Sequence, residues 1–272
     1  MPEIAEVETV RQTLKRRILN KKIKNVNVLY DRIVESDLDE FKKSLIGHEF
    51  SDILRKGKWL IFGIGDYYLC SHLRMEGKYF IKTSKDPIEK HEHIIFTFED
   101  GTDLRYHDTR KFGRMNLVLK DKLDTVEGVR KQGIEPIDSK LSKEYLYDNF
   151  KKSKLPMKTL LLDQTIISGL GNIYADEVLF ASGINPIKLG VDITIDECEN
   201  IVRSSNEIIT EAIKCGGTTI RSYTSSLGVT GRFQQNLKVH KREGEECKVC
   251  GTIIKRIVVG GRSTYYCEEC QK

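Results

Sequence analysis

Two cysteine pairs determine how the last 26 residues of the chain fold: Cys247-Lys248-Val249-Cys250 and Cys267-Glu268-Glu269-Cys270. Two residues separate the cysteines of each pair, so each pair can offer two thiolates to one metal ion from a tight turn. Residues 251–266 between the pairs fit a β-hairpin with Gly260-Gly261 at its tip. A segment this short cannot bury a core of its own, which favours one structural zinc ion over a redox role for either pair.

Four cysteine ligands leave no open position on a zinc ion, so we expect this ion to stabilise the module and to take no part in catalysis. The hairpin is also basic, because Arg262 follows its tip and Lys248, Lys255 and Arg256 lie nearby in the sequence. A rigid basic hairpin is typical of insertion against DNA. A tip that is simply solvated is the alternative.

The composition indicates a soluble protein of two or three domains. The chain has 272 residues, of which 39% are hydrophobic and 31% charged, and a formal net charge of +5 permits a polyanionic partner without requiring one. No apolar run reaches the length of a membrane span, and the acidic N-terminus is unlike a signal peptide, so we expect a cytoplasmic protein. In that reducing compartment Cys70, Cys198 and Cys215 are predicted to be buried and unpaired.

Short strands are predicted for most of residues 22–120, where apolar side chains alternate between turn signals such as Asp100-Gly101. The predicted strands are residues 24–30, 58–64, 67–75, 78–82, 93–98, 102–107 and 115–119, and a helix interrupts them at 38–46. An amphipathic helix is predicted before them from four apolar residues at helical spacing, namely Val7, Val10, Leu14 and Ile18. We therefore predict a two-layer β-sandwich with flanking helices over residues 1–120.

Helical periodicity replaces the strand pattern after a charged stretch at residues 121–131, which predicts a domain boundary there. One helix is predicted over residues 194–214, with Thr194 and Glu197 as a capping box and Gly216-Gly217 as its stop. A second helix, residues 173–181, follows the tight turn at residues 169–172. Backbone amides at such a turn can bind an anion, with Asn172 as a further donor to a phosphate; an ordinary helix cap is the alternative.

A polar stretch without a clear period runs from residue 218 to about residue 235. A loop of that length in a compact domain is either functional or disordered. The strands of residues 1–120, the helices that follow them and the zinc hairpin together predict an α+β multidomain chain. The predicted domains are a β-sandwich at residues 1–120, a helical domain at 121–235 and a zinc hairpin at 236–272.

The chain opens with Met1-Pro2-Glu3-Ile4-Ala5, a stretch with a candidate nucleophile. Processing removes methionine before small residues, so Pro2 is expected to become a free secondary amine. An α-amino group has a pKa of about 7.7–8.0 and is partly neutral at pH 7, which makes it a nucleophile towards a sugar C1′. Glu3 stands beside it to donate or relay a proton. The alternative is structural, since proline and acidic residues both favour helix starts.

These pieces together resemble the bacterial formamidopyrimidine-DNA glycosylases, which remove oxidised purines such as 8-oxoguanine from DNA. The resemblance covers the whole chain and rests on several motifs in a shared order. They are the Pro2-Glu3 start, Lys56-Gly57-Lys58-Trp59, His72-Leu73-Arg74-Met75-Glu76-Gly77, Asp108-Thr109-Arg110-Lys111-Phe112-Gly113, residues 169–177 and the zinc hairpin.

The resemblance implies a helix-two-turn-helix fold for the helical domain and a monomeric enzyme whose partner is double-stranded DNA with oxidised bases. Pro2 would attack C1′ of the damaged nucleotide, which releases the base and leaves a Schiff base. Glu3 would manage protons at the sugar, Lys58 would assist β-elimination, and Arg262 would serve δ-elimination. One structural zinc is the cofactor implied, and its ligands would be Cys247, Cys250, Cys267 and Cys270.

The resemblance also implies a set of DNA contacts. The space left by an extruded base would be filled by three residues, here called the wedge residues: Met75, Arg110 and Phe112. Phe112 would be the apolar wedge, and Arg110 would face the orphaned cytosine. The extruded base would meet a lesion-recognition loop consisting of Thr218, Ile220, Arg221, Ser222 and Tyr223. The candidate phosphate contacts are His72, His91, Lys154, Lys158 and Asn172.

Two residues depart from the family's pattern. Ala5 stands where the family usually has proline, which removes a rigid φ close to the amine. Thr109 likewise stands in place of a proline before the wedge, which predicts a more mobile loop. Neither change removes a reacting group.

Two other functions stay open from the residues. A glycosylase of the endonuclease VIII type would share the Pro-Glu chemistry but act on oxidised pyrimidines; Ile4, the wedge residues and the long loop after Gly217 favour the purine enzyme. A non-catalytic zinc protein could also bind DNA, but Pro2, Glu3 and Lys58 together argue against it.

Overall fold

The computed structural model describes residues 1–218 and 231–272. The chain divides into two compact units. Of the described residues, the first consists of Met1–Arg130 with Thr218 and Gly231, and the second consists of Lys131–Gly217 and Arg232–Lys272. Within the described residues, none of the helices combines the length and the apolar character that crossing a membrane requires.

The first unit is a β-sandwich flanked by helices. Its elements in chain order are α1 (Ile4–Ile18), β1 (Ile23–Val28), α2 (Leu38–Leu45), β2 (Phe50–Lys56), β3 (Trp59–Ile64), β4 (Tyr67–His72), β5 (Lys78–Thr83), β6 (Glu92–Phe98), β7 (Thr102–His107), β8 (Arg114–Leu119) and α3 (Glu127–Arg130). One sheet has the strand order β1-β6-β7-β5 and the other β2-β3-β4-β8. Apolar side chains from both sheets and from α1 and α2 form one buried core, which confirms the predicted sandwich.

Helix α1 anchors the start of the chain. Val7, Val10, Leu14 and Ile18 form its apolar stripe and are at most 2% exposed, as their spacing predicts. Ala5, which stands in place of the family's proline, is also completely buried in the first turn. Chain termini usually fray, but this turn is held by the core.

The sequence pattern does not predict strand β2, which is the main difference between the predicted and the observed secondary structure of the first unit. The register of β2 on β3 shifts between Phe50 and Asp52, so the alternation of apolar and polar side chains is broken there. The strand is nevertheless central, because the Phe50 ring packs edge-on against Phe62 and Phe98 at centroid distances of 5.6 and 5.8 Å. The strand predicted for residues 67–75 is also shorter, since β4 ends at His72 and a turn follows.

The second unit contains four α-helices and the hairpin within its described residues. Its elements are α4 (Lys143–Phe150), α5 (Met157–Leu161), α6 (Asn172–Ala181), α7 (Ile195–Lys214), β9 (Lys255–Val259) and β10 (Arg262–Tyr266). Two turns join α5 to α6, which is the predicted helix-two-turn-helix arrangement.

Helix α7 begins and ends at the predicted signals. The Thr194 hydroxyl accepts from the Glu197 amide at 3.2 Å, and the Glu197 carboxylate accepts from the Thr194 amide at 2.9 Å. At the other end, Gly216 and Gly217 have φ of 73° and 79°, and the Gly217 amide donates to the Ala212 carbonyl at 2.7 Å. Residues without a side chain adopt these angles at little cost, so the pair stops the helix.

Candidate functional site

The Pro2-Glu3 start lies at the beginning of α1. Both residues are buried, and Glu3 is 3% exposed. The Glu3 amide donates to the Glu6 carboxylate at 2.8 Å, which satisfies an amide that the helix itself leaves unpaired. The nitrogen of Pro2 is therefore next to a turn whose backbone is held at a fixed place.

Glu6 joins the start of α1 to Thr218, a contact that no motif in the sequence predicts. Its Oε2 atom accepts from Glu3, and its Oε1 atom accepts from the Thr218 amide at 2.8 Å and from the Thr218 hydroxyl at 3.0 Å. Glu6 and Thr218 are both less than 5% exposed. A carboxylate three residues after Glu3 is the signal of a capping box, but no local pattern predicts a partner at residue 218.

Lys58 lies in the tight turn between β2 and β3 and is 5% exposed. A buried ion pair fixes this turn to α1. The Arg55 guanidinium donates to the Glu8 carboxylate at 2.9 Å and to the Gly57 carbonyl at 3.0 Å. Arg11 donates to the same carboxylate at 2.7 Å. The turn that carries Lys58 is thus tied to the helix that follows the candidate nucleophile.

The carboxyl of Glu8 is expected to make the first unit sensitive to acid. Burial alone would raise its pKa, but hydrogen bonds from Arg11, Gln12 and Arg55 outweigh it and lower the pKa from 4.5 to about 2. A lowered pKa stabilises the fold above about pH 4.5, and this contribution is lost as pH falls towards 2. Glu8→Gln should therefore lower the free energy of unfolding at pH 7 by about 2 kcal/mol, allowing for solvent screening.

Urea unfolding followed by the fluorescence of the single tryptophan, Trp59, measures this effect. The difference in the free energy of unfolding between the wild type and Glu8→Gln should shrink as pH falls from 5 towards about 3. Glu49→Gln, a change at an exposed carboxylate, is the control. A difference that stays constant over this pH range would contradict the assignment.

His72 is the last residue of β4 and pairs in the ladder with Trp59, so it lies beside Lys58. Burial, followed by the charges of Arg74 and Lys58, lowers the pKa of His72 to about 3. The ring is thus neutral at physiological pH. Its Nδ1 atom accepts from the Arg74 amide at 3.0 Å, which leaves the proton on Nε2. His72 can therefore donate Nε2–H as a neutral ring, at a sheet end where Arg74 and Lys58 carry positive charge.

The wedge residues lie on two loops of the first unit and are exposed. Met75 follows β4 and is 37% exposed, while Phe112 lies between β7 and β8 and is 50% exposed. The Arg110 guanidinium lies 4.7 Å from the centre of the Phe112 ring. Each loop contains a non-glycine residue with positive φ, namely Arg74 at 53° and Lys111 at 57°. Such strain persists only where the surrounding structure holds it.

His91 precedes β6 and also has a positive φ, of 73°. Its side chain is half-buried, and its ring lies 5.8 Å from that of His107 and 6.3 Å from that of His93. The ring thus belongs to a packed cluster and is only partly open to solvent.

The candidate phosphate contacts of the second unit differ in their exposure. Lys154 is exposed, whereas Lys158 has no accessible surface and donates to Asp176 at 2.6 Å and to the Asn172 carbonyl at 2.9 Å. Asp176 also pairs with His240 at 2.6 Å. Lys158 therefore belongs to a buried network that holds the start of α6.

Asn172 is the first residue of α6, and Gly171 is the N-cap, so an asparagine cap is the wrong interpretation of this turn. The Asn172 side-chain amide donates to the Ser263 carbonyl at 2.8 Å. This bond ties strand β10 to the helix, and it places Asn172 next to the residue that follows Arg262.

The four hairpin cysteines form one cluster. Their sulfur atoms all lie within 4.8 Å of one another, with Cys247 and Cys270 3.9 Å apart and Cys250 and Cys267 3.4 Å apart. Tetrahedral zinc with bonds of about 2.3 Å to sulfur requires sulfur atoms about 3.8 Å apart. The donor set therefore fits one structural zinc ion, as predicted.

The predicted hairpin is confirmed, with Arg262 pairing with Val259 across a tip formed by Gly260 and Gly261. Both glycines have positive φ, of 55° and 73°, as a two-residue turn of this hand requires. A Cβ atom on Gly260 would lie 2.8 Å from the Thr159 hydroxyl, so the tip packs closely on α5. The side chain of Arg262 is exposed.

In the first unit, Pro2 and Glu3 precede α1, and Lys58 lies in the β2–β3 turn that Arg55 ties to Glu8 of this helix. Arg262 belongs to the second unit. Of the predicted lesion-recognition loop, Thr218 is described and bonded to Glu6. The other members lie outside the described residues: Ile220, Arg221, Ser222 and Tyr223.

Three family models match consecutive parts of the chain. Residues 1–115 match the formamidopyrimidine-DNA glycosylase N-terminal domain, and residues 132–224 match the H2TH domain of the same enzymes. Residues 244–272 match the zinc finger found in FPG and IleRS.

Similar proteins cover the whole chain. A protein named formamidopyrimidine-DNA glycosylase from Lactobacillus delbrueckii subsp. bulgaricus is 43% identical over 272 residues, which is 100% of both chains. The wild-type Lactococcus lactis Fpg (MutM), solved in a complex with N7-benzyl-Fapy-dG containing DNA, gives a TM-score of 0.94 at 41% identity over 100% of each chain. A MutM solved with carbocyclic 8-oxo-G containing DNA gives the same TM-score of 0.94, also at 41% identity and 100% coverage of each.

Proposed function

The chain belongs to the formamidopyrimidine-DNA glycosylase family, and on this basis we propose that it excises oxidised purines such as 8-oxoguanine from duplex DNA and then cleaves the strand. The observation that carries the proposal is the full-length similarity to structures bound to lesion-containing DNA. The buried Pro2-Glu3 start on a fixed helical turn supports it. We place this activity in the bacterial cytoplasm, at the nucleoid.

Pro2 is the proposed nucleophile once Met1 has been removed. Its nitrogen lone pair forms a bond to C1′ while the bond from C1′ to the damaged base breaks, and the base leaves with a proton. Opening of the sugar ring then gives an iminium ion between Pro2 and C1′. Glu3 is the proposed proton donor and acceptor, because it is the buried carboxylate next to Pro2.

Strand cleavage follows from the same iminium ion. Its positive charge acidifies the C2′ protons, so loss of one of them expels the 3′ phosphate in β-elimination. Lys58 is the proposed assistant at this step, and Arg262 is proposed to serve the second, δ-elimination of the 5′ phosphate. Water finally hydrolyses the bond between Pro2 and the sugar remnant and regenerates the amine. Neither elimination needs an oxidant or a reductant.

Phosphate binding is proposed for the sheet end that carries His72 and for two further residues. His72 is suited to donate Nε2–H to a phosphate oxygen, because its other ring nitrogen already accepts from Arg74. His91 and Lys154 are further contacts in this proposal. Lys158 is buried, so its proposed contribution is indirect, through the position of Asn172. Binding by such contacts weakens as salt rises.

Base extrusion is proposed for the wedge residues. Extrusion costs a few kcal/mol in lost stacking and pairing. Phe112 is exposed and apolar, so its insertion between bases would refill the stack, and Arg110 beside it would donate to the orphaned base. The zinc ion, held by its four cysteines, would supply rigidity to the hairpin that carries Arg262.

Borohydride trapping tests the proposal. Reduction during turnover of an 8-oxoguanine:cytosine duplex should convert the iminium ion into a stable amine and give a covalent protein–DNA adduct whose modified residue is Pro2. A thymine-glycol:adenine duplex, the matched substrate with an oxidised pyrimidine, should give much less adduct. More adduct on the thymine-glycol duplex than on the 8-oxoguanine duplex would favour endonuclease VIII-type specificity. No adduct on either duplex would indicate a non-catalytic DNA-binding protein.

A further inference from the structure

Asp108 holds the loop that carries Arg110 and Phe112. Its Oδ1 atom accepts from the Arg110 amide at 3.0 Å, and its Oδ2 atom accepts from the amides of Phe112 at 2.9 Å and Gly113 at 2.8 Å. The carboxylate is completely buried. One side chain therefore satisfies most of the backbone donors in a loop that also contains Lys111 at positive φ.

The backbone of Asp108 also holds the segment that carries His91, a proposed phosphate contact. Its amide donates to the His91 carbonyl at 3.0 Å, and its carbonyl accepts from Nε2 of His93 at 2.8 Å. The positive φ of His91 costs free energy, so the segment needs such restraints to keep this conformation. Asp108 thus fixes His91 through its main chain and Phe112 through its side chain.

Tyr106 connects the same loop to the turn that carries Met75. A Cβ atom on Gly113 would lie 1.7 Å from the Tyr106 hydroxyl oxygen, and one on Gly77 would lie 2.3 Å from it. Both loops therefore pack against this one buried hydroxyl, which lies 3.5 Å from Asp108. In addition, the Thr109 hydroxyl donates to the Glu76 carboxylate. The threonine that replaces proline thus joins the two loops directly.

We propose that Asp108 is a positioning residue for base extrusion, which sets the place of the wedge residues and of His91 before DNA binds. This inference rests on the proposed function, because a wedge has a task only in a lesion-containing duplex. A preorganised wedge loses little conformational entropy on insertion, so its contacts offset the cost of unstacking. A loose wedge must be ordered first, which slows extrusion but leaves Pro2, Glu3 and Lys58 unchanged.

Asp108→Asn is the direct test, because asparagine has the same shape but turns an amide donor towards backbone amides that need an acceptor. Excision of 8-oxoguanine, measured as kcat/KM, should fall on the order of 10-fold or more. Cleavage of a pre-formed abasic site, which has no base to extrude, should change less than about 3-fold. The fluorescence of 2-aminopurine next to the lesion should show slower extrusion, an effect that a merely structural role would not produce.

Asp100→Asn is the matched control, since Asp100 also accepts from a backbone amide, that of Thr102 at 2.9 Å, at the opposite end of β7. It should leave extrusion unchanged. Phe112→Ala should reproduce the selective loss, because it removes the wedge itself. If Phe112→Ala is selective but Asp108→Asn behaves like Asp100→Asn, the positioning role is wrong while the wedge stands. If Phe112→Ala has no selective effect, the wedge itself is wrong.

Tyr106→Phe keeps the inference testable if Asp108→Asn does not fold. It removes only the hydroxyl against which Gly77 and Gly113 pack, so extrusion should slow in the same direction by a smaller factor. Equal losses on the lesion duplex and on the abasic site would overturn the positioning role, as would an unchanged extrusion rate in this variant.

Discussion

Base release and strand cleavage are expected to disappear together when the amine of Pro2 is blocked. A peptide extension turns this secondary amine into an amide, whose nitrogen lone pair is delocalised and cannot attack C1′. Both activities depend on the same bond in the proposed mechanism, so each should fall by at least about 1,000-fold. DNA binding should survive, because Lys58, His72 and the zinc hairpin are untouched.

A cleavable leader gives a matched comparison within one preparation. The chain is made with an N-terminal leader that a protease removes to leave Pro2 at the terminus, and activity is measured before and after cleavage. Mass spectrometry verifies the terminus, and the wild-type chain treated with the same protease is the control. Full activity in the uncut protein, or loss of base release alone, would contradict a shared nucleophile.

Removal of the zinc site is expected to have the second large effect. Cys267→Ala deletes a buried ligand of the four-sulfur cluster, and structural zinc contributes on the order of 10 kcal/mol to the folding of such modules. The hairpin should lose its fixed tip, and with it the position of Arg262. We expect DNA affinity and excision to fall at least about 100-fold, with less than one equivalent of zinc bound.

Cys198→Ala is the matched control for this experiment. Cys198 is as buried as Cys267 but lies in α7, away from the cluster. It should bind one zinc ion and keep wild-type DNA affinity, so a loss in this variant would point to general destabilisation. If Cys267→Ala has lost its zinc and still binds DNA with wild-type affinity, the hairpin does not contribute to DNA binding.

Regular elements with a strong local signal were predictable from the residues. Thr194, Glu197 and the Gly216-Gly217 pair bound α7 because caps and stops act within a few residues. The hairpin followed from cysteine spacing and two glycines. Strand β2 escaped prediction because its bulge at Phe50 breaks the period of two on which strand recognition depends.

The zinc ligands, the nucleophile candidate, the family and the strands with regular alternation could be predicted from the residues alone, since each depends on residue type and short-range spacing. Which polar groups meet depends instead on how the elements pack. The bonds from Thr218 to Glu6, from Arg55 to Glu8 and from Asn172 to Ser263 join residues far apart in the chain. Local periodicity carries no information on such pairs, because the packing of whole sheets and helices sets their distance and their burial. For the same reason the sequence does not show that Lys158, a candidate phosphate contact, is completely buried in the fold.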